Sequence, residues 1–476
     1  MTSTVAGSPD DLSNQAEFLG HPKGLYVCFT TELWERFSFY GMKYLLLLYL
    51  TKYHLFTDGE GLDVLGSYAG LVYALPLIGG MIADRFLGMR KSVVFGGILL
   101  SLGHIIMAVE GHQAINYAAG TVLSHDLTLA SGQFFAAGTA LTDAIMYRDT
   151  EALNVFYFAL ALIVMGVGYL KPNISTIVGK LYAQNDPRRD GGFTIFYMGI
   201  NVGSFIATLL CGWLGETYGW KYGFGAAGIG MIVGLITFLF GQKYLMGYAE
   251  PSEPEKLKKS FLGPINVEWS VYILSLPFLA VFWLLVQHEP VVLLTQNVFL
   301  IIAIVGLILY SMVHSNEGSN TVAYVVAGLA VVLGLYAAGV NLHFIPSSEA
   351  VAESVLYASI LTIVGFVFYG FMTHNSPEFA RTVVLMILIL STVVFWALFE
   401  QSAGSMTLYA DRVVDRSIGF TTFTAAQFGS LNAGFIMILA IPFAALWTWL
   451  AKKNLEPNTP VKFGLGILQA GLGFGA

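Results

Sequence analysis

The sequence predicts an all-α polytopic membrane protein, and three observations carry that prediction. Of the 476 residues, 56% are hydrophobic and only 11% are charged, where soluble domains carry roughly 25% charged residues. The apolar residues gather into runs of about 20, the length a helix needs to cross the hydrocarbon core. The charged residues stand between these runs, or inside a few of them at helical spacing. The net charge of −7 sits mostly in loops and tails and gives no sign of nucleic-acid binding. Cys28 and Cys211 are the only cysteines, both in or beside apolar runs, so neither a disulfide framework nor a thiolate metal site is expected.

Residues 1–23 are polar and acidic, read as a cytoplasmic tail without a signal peptide. Spanning windows then follow near 24–51, 66–83, 92–110, 153–178, 192–215 and 222–247, which makes six helices over 24–247. Between the third and fourth, residues 111–151 are Gly- and Ala-rich, expected as an outside loop with helical pieces. A basic linker, 248–267, precedes four further windows within 268–373, near 268–287, 296–314, 321–344 and 355–373. Windows near 382–409 and 427–451 and an apolar run from about 463 close the chain. Lys and Arg follow the second, fourth and sixth helices (Arg85, Arg90 and Lys91; Lys180, Arg188 and Arg189; Lys243, Lys256, Lys258 and Lys259). Basic loops stay on the cytoplasmic side, so the N-terminus is expected there too.

Inside the first window, Glu32, Glu35, Arg36, Phe39, Tyr40 and Lys43 follow i, i+3, i+4, i+7, i+8, i+11 and fall on one face of a helix. Four charges facing lipid would cost on the order of 10 kcal/mol, at roughly 2.5–3.5 kcal/mol each. They must face protein, water or one another. Lys171 follows a long apolar run and needs a carboxylate, for which the helix-one glutamates are candidates, as is the terminal carboxylate of a substrate. Pro172 loosens the helix just after it. Glu400 is the only acid within 382–409. His104, alone in the third window, is read as a packed polar group.

Between the second and third windows stands Gly80-x-x-x-Asp84-Arg85-x-x-Gly88-x-Arg90-Lys91. Gly80 and Gly88 suit close backbone approach and a tight turn, and Asp84 with the basic residues suits a breakable cytoplasmic charge cluster. The pattern resembles the helix 2–3 loop signature of the major facilitator superfamily. ELWERFSFYG, residues 32–41, resembles the Glu-x-x-Glu-Arg-Phe-x-Tyr-Tyr motif of one branch, the proton-coupled oligopeptide transporter family. GYLKPNIS at 168–175, FTIFYMGINVGSF at 193–205 and FWALFEQ at 395–401 resemble the same family.

The resemblance implies the major facilitator superfamily fold: two six-helix bundles with extra transmembrane helices inserted between them. The first bundle would be 24–247, the insertion 268–373, and 374–476 the start of a second bundle that is incomplete in this chain. It implies symport of protons with di- and tripeptides across the plasma membrane, of the bacterial inner membrane type, by a monomer without a cofactor. Another proton-coupled carrier, for nitrate or a small organic solute, is the alternative on the same scaffold. Glu32, Glu35, Arg36, Lys171 and Glu400 would couple protons. Tyr40, Lys43, Tyr73, Lys171, Asn201, Trp396 and Asn432 would bind substrate, with Lys43 pairing Glu400 as an outer latch. Gly80, Asp84, Arg85, Gly88 and Arg90 would form the gating loop. Phe39 stands where the family usually has Tyr, Lys43 where many members have Arg, and Ala433 where Pro is usual. An enzyme is not expected: neither a GxSxG nor an HExxH motif occurs, and His288-Glu289 lacks a partner histidine.

Overall fold

The computed structural model describes residues 15–295 apart from Ala130, Met246, Ser252 and Leu293, and residues 377–475 apart from Phe420, with isolated positions at Gly328, Val332, Tyr336 and Gly339. The expected spans at 296–314 and 355–373, and 321–344 apart from those positions, lie outside the described residues. The chain forms two compact units, Met1–Gln287 with Ser402–Trp449, and His288–Gln401 with Leu450–Ala476.

The first unit opens with α1 (Lys23–Lys52), whose 30 residues reach about 45 Å at 1.5 Å per residue. Next come α2 (Asp58–Ile82), α3 (Met89–Met107), α4 (Thr150–Lys180), α5 (Arg189–Tyr218) and α6 (Trp220–Gly241). Local signals set the boundaries. Thr57 and Glu60 form a reciprocal capping box before α2, Asp149 caps α4 through the Ala152 amide, and Gly219, at φ +126°, turns the chain between α5 and α6. α1 packs along α5 and α6, α3 and α2 along α4, so the apolar core runs between these helices.

Backbones approach closely where side chains vanish, as membrane helix interfaces require. A Cβ on Gly203 of α5 would lie 2.2 Å from the Leu33 carbonyl oxygen of α1. A Cβ on Gly79 of α2 would lie 2.0 Å from that of Gly168 on α4. The sequence reading assigned close approach to Gly80, which is corrected here: a Cβ there meets only Pro172, at an ordinary 3.6 Å. One residue turns the helix by about 100°, so motif and contact fall on different faces.

Residues 111–149 depart from the expected helical pieces. They form two antiparallel pairs, β3 (Ile115–Tyr117) with β6 (Ile145–Tyr147) and β4 (Leu127–Thr128) with β5 (Phe134–Phe135), after β1 (Glu17–Phe18) and β2 (His21–Pro22) of the N-terminal hairpin. Leu123, Leu127 and Leu141 make a small core of their own. The glycines that blurred the reading are turn residues: Gly120, Gly132 and Gly138 all have positive φ.

After α6 come a short helix α7 (Pro254–Lys258), a hairpin of β7 (Ser260–Leu262) and β8 (Ile265–Asn266), and α8 (Val267–Val286). α8 is fastened to the bundle at three depths. Lys91 pairs with Glu268, the Tyr169 and Ser275 hydroxyls meet at 2.7 Å, and Trp283 donates to the Asn154 carbonyl oxygen. The expected continuous helix over 382–409 is two helices, Pro377–Glu400 and Ser405–Arg412, separated by the turn at 401–404. Hydropathy bridged the break because the turn residues Ser402, Ala403 and Gly404 are small and uncharged. The helices Ser430–Lys452 and Thr459–Gly475 follow.

Candidate functional site

The charged face of α1 is buried. Glu35 is 0% exposed, Glu32 2%, Lys43 3% and Arg36 6%. Arg36 Nε donates to Glu32 Oε1 at 2.8 Å and stands 3.0 Å from Glu35 Oε2. One guanidinium nitrogen thus serves two carboxylates, and beyond these ion contacts Glu32 Oε2 and both Glu35 oxygens have no hydrogen-bond partner among the described residues. The i, i+3, i+4 spacing legible in the sequence makes this convergence, since side chains three and four apart are neighbours. Phe39 stands against both cations: Arg36 Cζ and Lys43 Nζ each lie 5.7 Å from its ring centroid, a cation–π distance. Phe39 also meets Tyr40 edge-on and stacks on Tyr68.

Of the two carboxylate sources the sequence left open for Lys171, the helix-one glutamates do not ion-pair with it. Its ammonium lies over the Tyr73 ring, 4.6 Å from the centroid, and among the described residues no carboxylate oxygen pairs with it within 4 Å. Arg36 explains this: it sits on the same helix turn as both glutamates and compensates them without bringing α4 closer. Tyr73 is half-exposed, on α2 beside Lys171 of α4. Asn201 is buried on α5 and donates through Nδ2 to the Tyr197 carbonyl oxygen one turn back, leaving its side-chain oxygen available to accept. Asn432 is exposed near the start of its helix while Ala433 and Gly434 are buried.

In the other unit, Trp396 and Glu400 lie four residues apart on the last turns of the Pro377–Glu400 helix. Trp396 meets Phe395 and Phe399 edge-on, and Glu400 ends the helix.

The loop after α2 is also rearranged relative to expectation. A π turn, Ala83–Leu87, leads into Gly88 at φ +75°, where a Cβ would strike Pro251. That contact turns Arg90 toward the 242–250 segment. It grips both carboxylate oxygens of Glu250 and donates to Gln242 Oε1 at 2.8 Å. Asp84 and Arg85 are exposed and make no ion pair among the described residues, so the expected Asp84-centred cluster gives way to Arg90–Glu250 and Lys91–Glu268.

A second charge set went unread in the sequence. Arg412 holds Asp58 with two 2.7 Å hydrogen bonds, while Lys52 joins Glu216 and Asp411. Glu216 also accepts from the Ala426 amide, so the ends of α1, α2 and α5 are tied to the 405–429 segment. Only folding brings these positions together, and no local spacing announces them. Beside this set, Arg148 of the hairpin lobe donates to the His54 and Leu55 carbonyl oxygens and lies over Phe56. His54 is buried, and burial first, then the Arg148 charge, draw its pKa down to about 4 against the opposing pull of Asp149.

Eight helices long and apolar enough to cross a membrane among the described residues, together with the buried charge cluster of α1, define an integral membrane protein. Residues 90–261 and 297–476 match the POT family. The chain is 33% identical over 466 residues to the peptide transporter YePEPT of Yersinia enterocolitica, with 96% of this chain and 73% of that protein covered. It is 32% identical to the uncharacterized transporter YclF of Bacillus subtilis, covering 97% and 74%. A solved structure of a mutant peptide transporter POT in complex with alafosfalin is similar at TM-score 0.63 and 29% identity, covering 97% and 74%. The chain belongs to the POT family, a family of transporters and not of enzymes.

Proposed function

We propose that this chain is a proton-coupled symporter that imports di- and tripeptides by alternating access. The observation that carries the reading is the single Arg36 guanidinium shared by two buried carboxylates. Either Glu32 or Glu35 can take a proton while Arg36 keeps the other as its counter-charge. Net charge then changes by one inside a membrane helix without leaving an ion uncompensated. Lys171, covered by an aromatic face and by no acid, is suited to receive a peptide carboxylate, and Lys43 adds positive charge along the same α1 face. Tyr40, Tyr73 and Asn201 supply neutral hydrogen-bonding groups, with Trp396 and Asn432 further wall residues. Glu400 serves as the partner of Lys43, released by protonation. The names of two relatives favour peptide cargo, the Yersinia peptide transporter and a di-/tripeptide transporter of Lactococcus lactis that is 31% identical. The carrier works as a monomer in the plasma membrane with its N-terminus cytoplasmic, needs no cofactor beyond protons, and has its first bundle in 24–247, its inserted helices in 268–373 and the start of the second bundle in 374–476.

The test is uptake of a labelled dipeptide into liposomes with and without an inward proton gradient, for wild type and for Glu32→Gln, Glu35→Gln, Lys171→Ala and Glu400→Gln. Gradient-driven uptake should be lost in the glutamate variants while counterflow exchange persists. Gradient-driven uptake surviving in all four would refute the coupling scheme. Competition by nitrate or a small organic acid, but not by unlabelled dipeptides, would replace the cargo.

A further inference from the structure

Between α2, α4 and α8 lies a small cavity. It has a volume of about 160 Å³ and is walled by Leu75, Ile78 and Gly79 of α2, Met165, Gly168 and Tyr169 of α4, and Ser275, Phe278 and Phe282 of α8. Sites for drug-sized ligands run to roughly 300–1,000 Å³, so this one admits only something thin. Its wall is apolar except for two hydroxyls, and those are spent on each other: Tyr169 and Ser275 meet at 2.7 Å. A polar ligand would find no unmatched partner there. At its rim Ile78 is 49% exposed and Phe278 60% exposed, and both stand on helices long and apolar enough to cross the membrane. The cavity therefore opens between two helices apolar enough to cross the membrane, and its mouth offers an occupant only apolar contact, the chemistry of hydrocarbon.

We infer that this cleft between α2, α4 and α8 is a binding site for a segment of one phospholipid acyl chain. The position gives the occupant a task. The cleft floor is the Gly79–Gly168 crossing, where α2 and α4 touch backbone to backbone. Tyr73 lies two residues before Leu75, and Lys171 lies two residues after Tyr169. A chain segment wedged there braces from behind the two helices that hold the Lys171–Tyr73 contact, and α8 closes the wedge through the Tyr169–Ser275 hydrogen bond. The inference depends on the placement of α2, α4 and α8 and not on the identity of the cargo.

The probe is a phosphatidylcholine bearing a mid-chain diazirine, incorporated into liposomes with the full chain, photolysed, and mapped by mass spectrometry. Phe240 of α6, 80% exposed, reports ordinary contact with surrounding lipid. Adducts should accumulate on Met165, Tyr169 or Phe282. Ile78→Trp, which closes the mouth from an exposed position, should lower their ratio to Phe240 adducts roughly tenfold, the factor that about two displaced methylene contacts supply. Phe278→Trp provides a second closure from the opposite rim. Cleft residues left unlabelled while Phe240 is labelled, or a ratio unchanged in both variants, would overturn the inference.

Discussion

Replacing Arg36 with leucine removes the cation that, among the described residues, touches both helix-one glutamates. At an effective dielectric of 20, a charge pair at 2.8 Å is worth about 6 kcal/mol and one at 3.0 Å about 5.5 kcal/mol. Desolvation offsets much of this in the intact cluster, because taking ions out of water costs several kcal/mol each. In Arg36→Leu the attraction vanishes and the desolvation of two buried carboxylates remains, an expected loss of about 3–5 kcal/mol. The assay is reversible unfolding of the detergent-solubilised carrier at neutral pH. The triple variant Arg36→Leu, Glu32→Gln, Glu35→Gln deletes the charges along with their partner and should recover most of the loss, while staying inactive in gradient-driven uptake. A single variant within about 0.5 kcal/mol of wild type, in the range of an ordinary surface substitution, would refute the reasoning. So would a triple variant no more stable than the single one, because the cost would then lie in packing and not in orphaned charge.

Two adjacent glycines should respond oppositely to alanine. Gly79→Ala drives a methyl into the Gly168 carbonyl and should cost about 1–3 kcal/mol or more, whereas Gly80→Ala has room and should gain up to about 1 kcal/mol from helix propensity, both read by the same unfolding assay. Tyr73→Phe keeps the ring over Lys171 and removes only the hydroxyl offered to substrate, so dipeptide affinity should fall by no more than one hydrogen bond, about 0.5–1.5 kcal/mol. Tyr73→Leu removes a contact worth about 0.5–2 kcal/mol and should shift affinity between twofold and some thirtyfold in equilibrium binding. The Asp58–Arg412 pair is half-exposed, so Arg412→Ala should change stability by less than about 1 kcal/mol; an uptake defect rescued by the exchange Asp58→Arg with Arg412→Asp would assign the pair to the transport cycle. His54 is held neutral, with its pKa drawn down to about 4. Between the usual pKa near 6.5 and that value the unfolded chain binds the proton and the folded one does not, so stability falls as pH drops through this window, by up to about 3 kcal/mol. His54→Phe should flatten that part of the pH profile.

Much of the architecture was legible because burial in a bilayer writes itself into composition. α1, α3, α4, α5 and α6 follow their apolar windows closely, and α2 begins eight residues before its window because Thr57 and Glu60 cap it, a signal of polarity and not of hydropathy. The hairpin lobe was misread for a related reason: its apolar residues serve a three-leucine core of its own, so their density resembled a short helix. The break at 401–404 escaped detection because small neutral residues look alike in a turn and in a span.

By itself the sequence determined the membrane class, the POT family resemblance and the α1 charged face, because lipid forbids unpaired charge and helical periodicity is local. Only the tertiary structure decided which partner each charge has. Arg36, already adjacent on α1, takes both glutamates; Lys171 is left with the Tyr73 face; Arg90 goes to Glu250 instead of Asp84. Charges that meet from positions more than 150 residues apart, such as Arg412 with Asp58 or Lys52 with Glu216, do so only because helices pack backbone to backbone at Gly79 and Gly203, a geometry that no single helix encodes. The four charges on the α1 face thus resolve into one shared guanidinium and two cations over one phenyl ring.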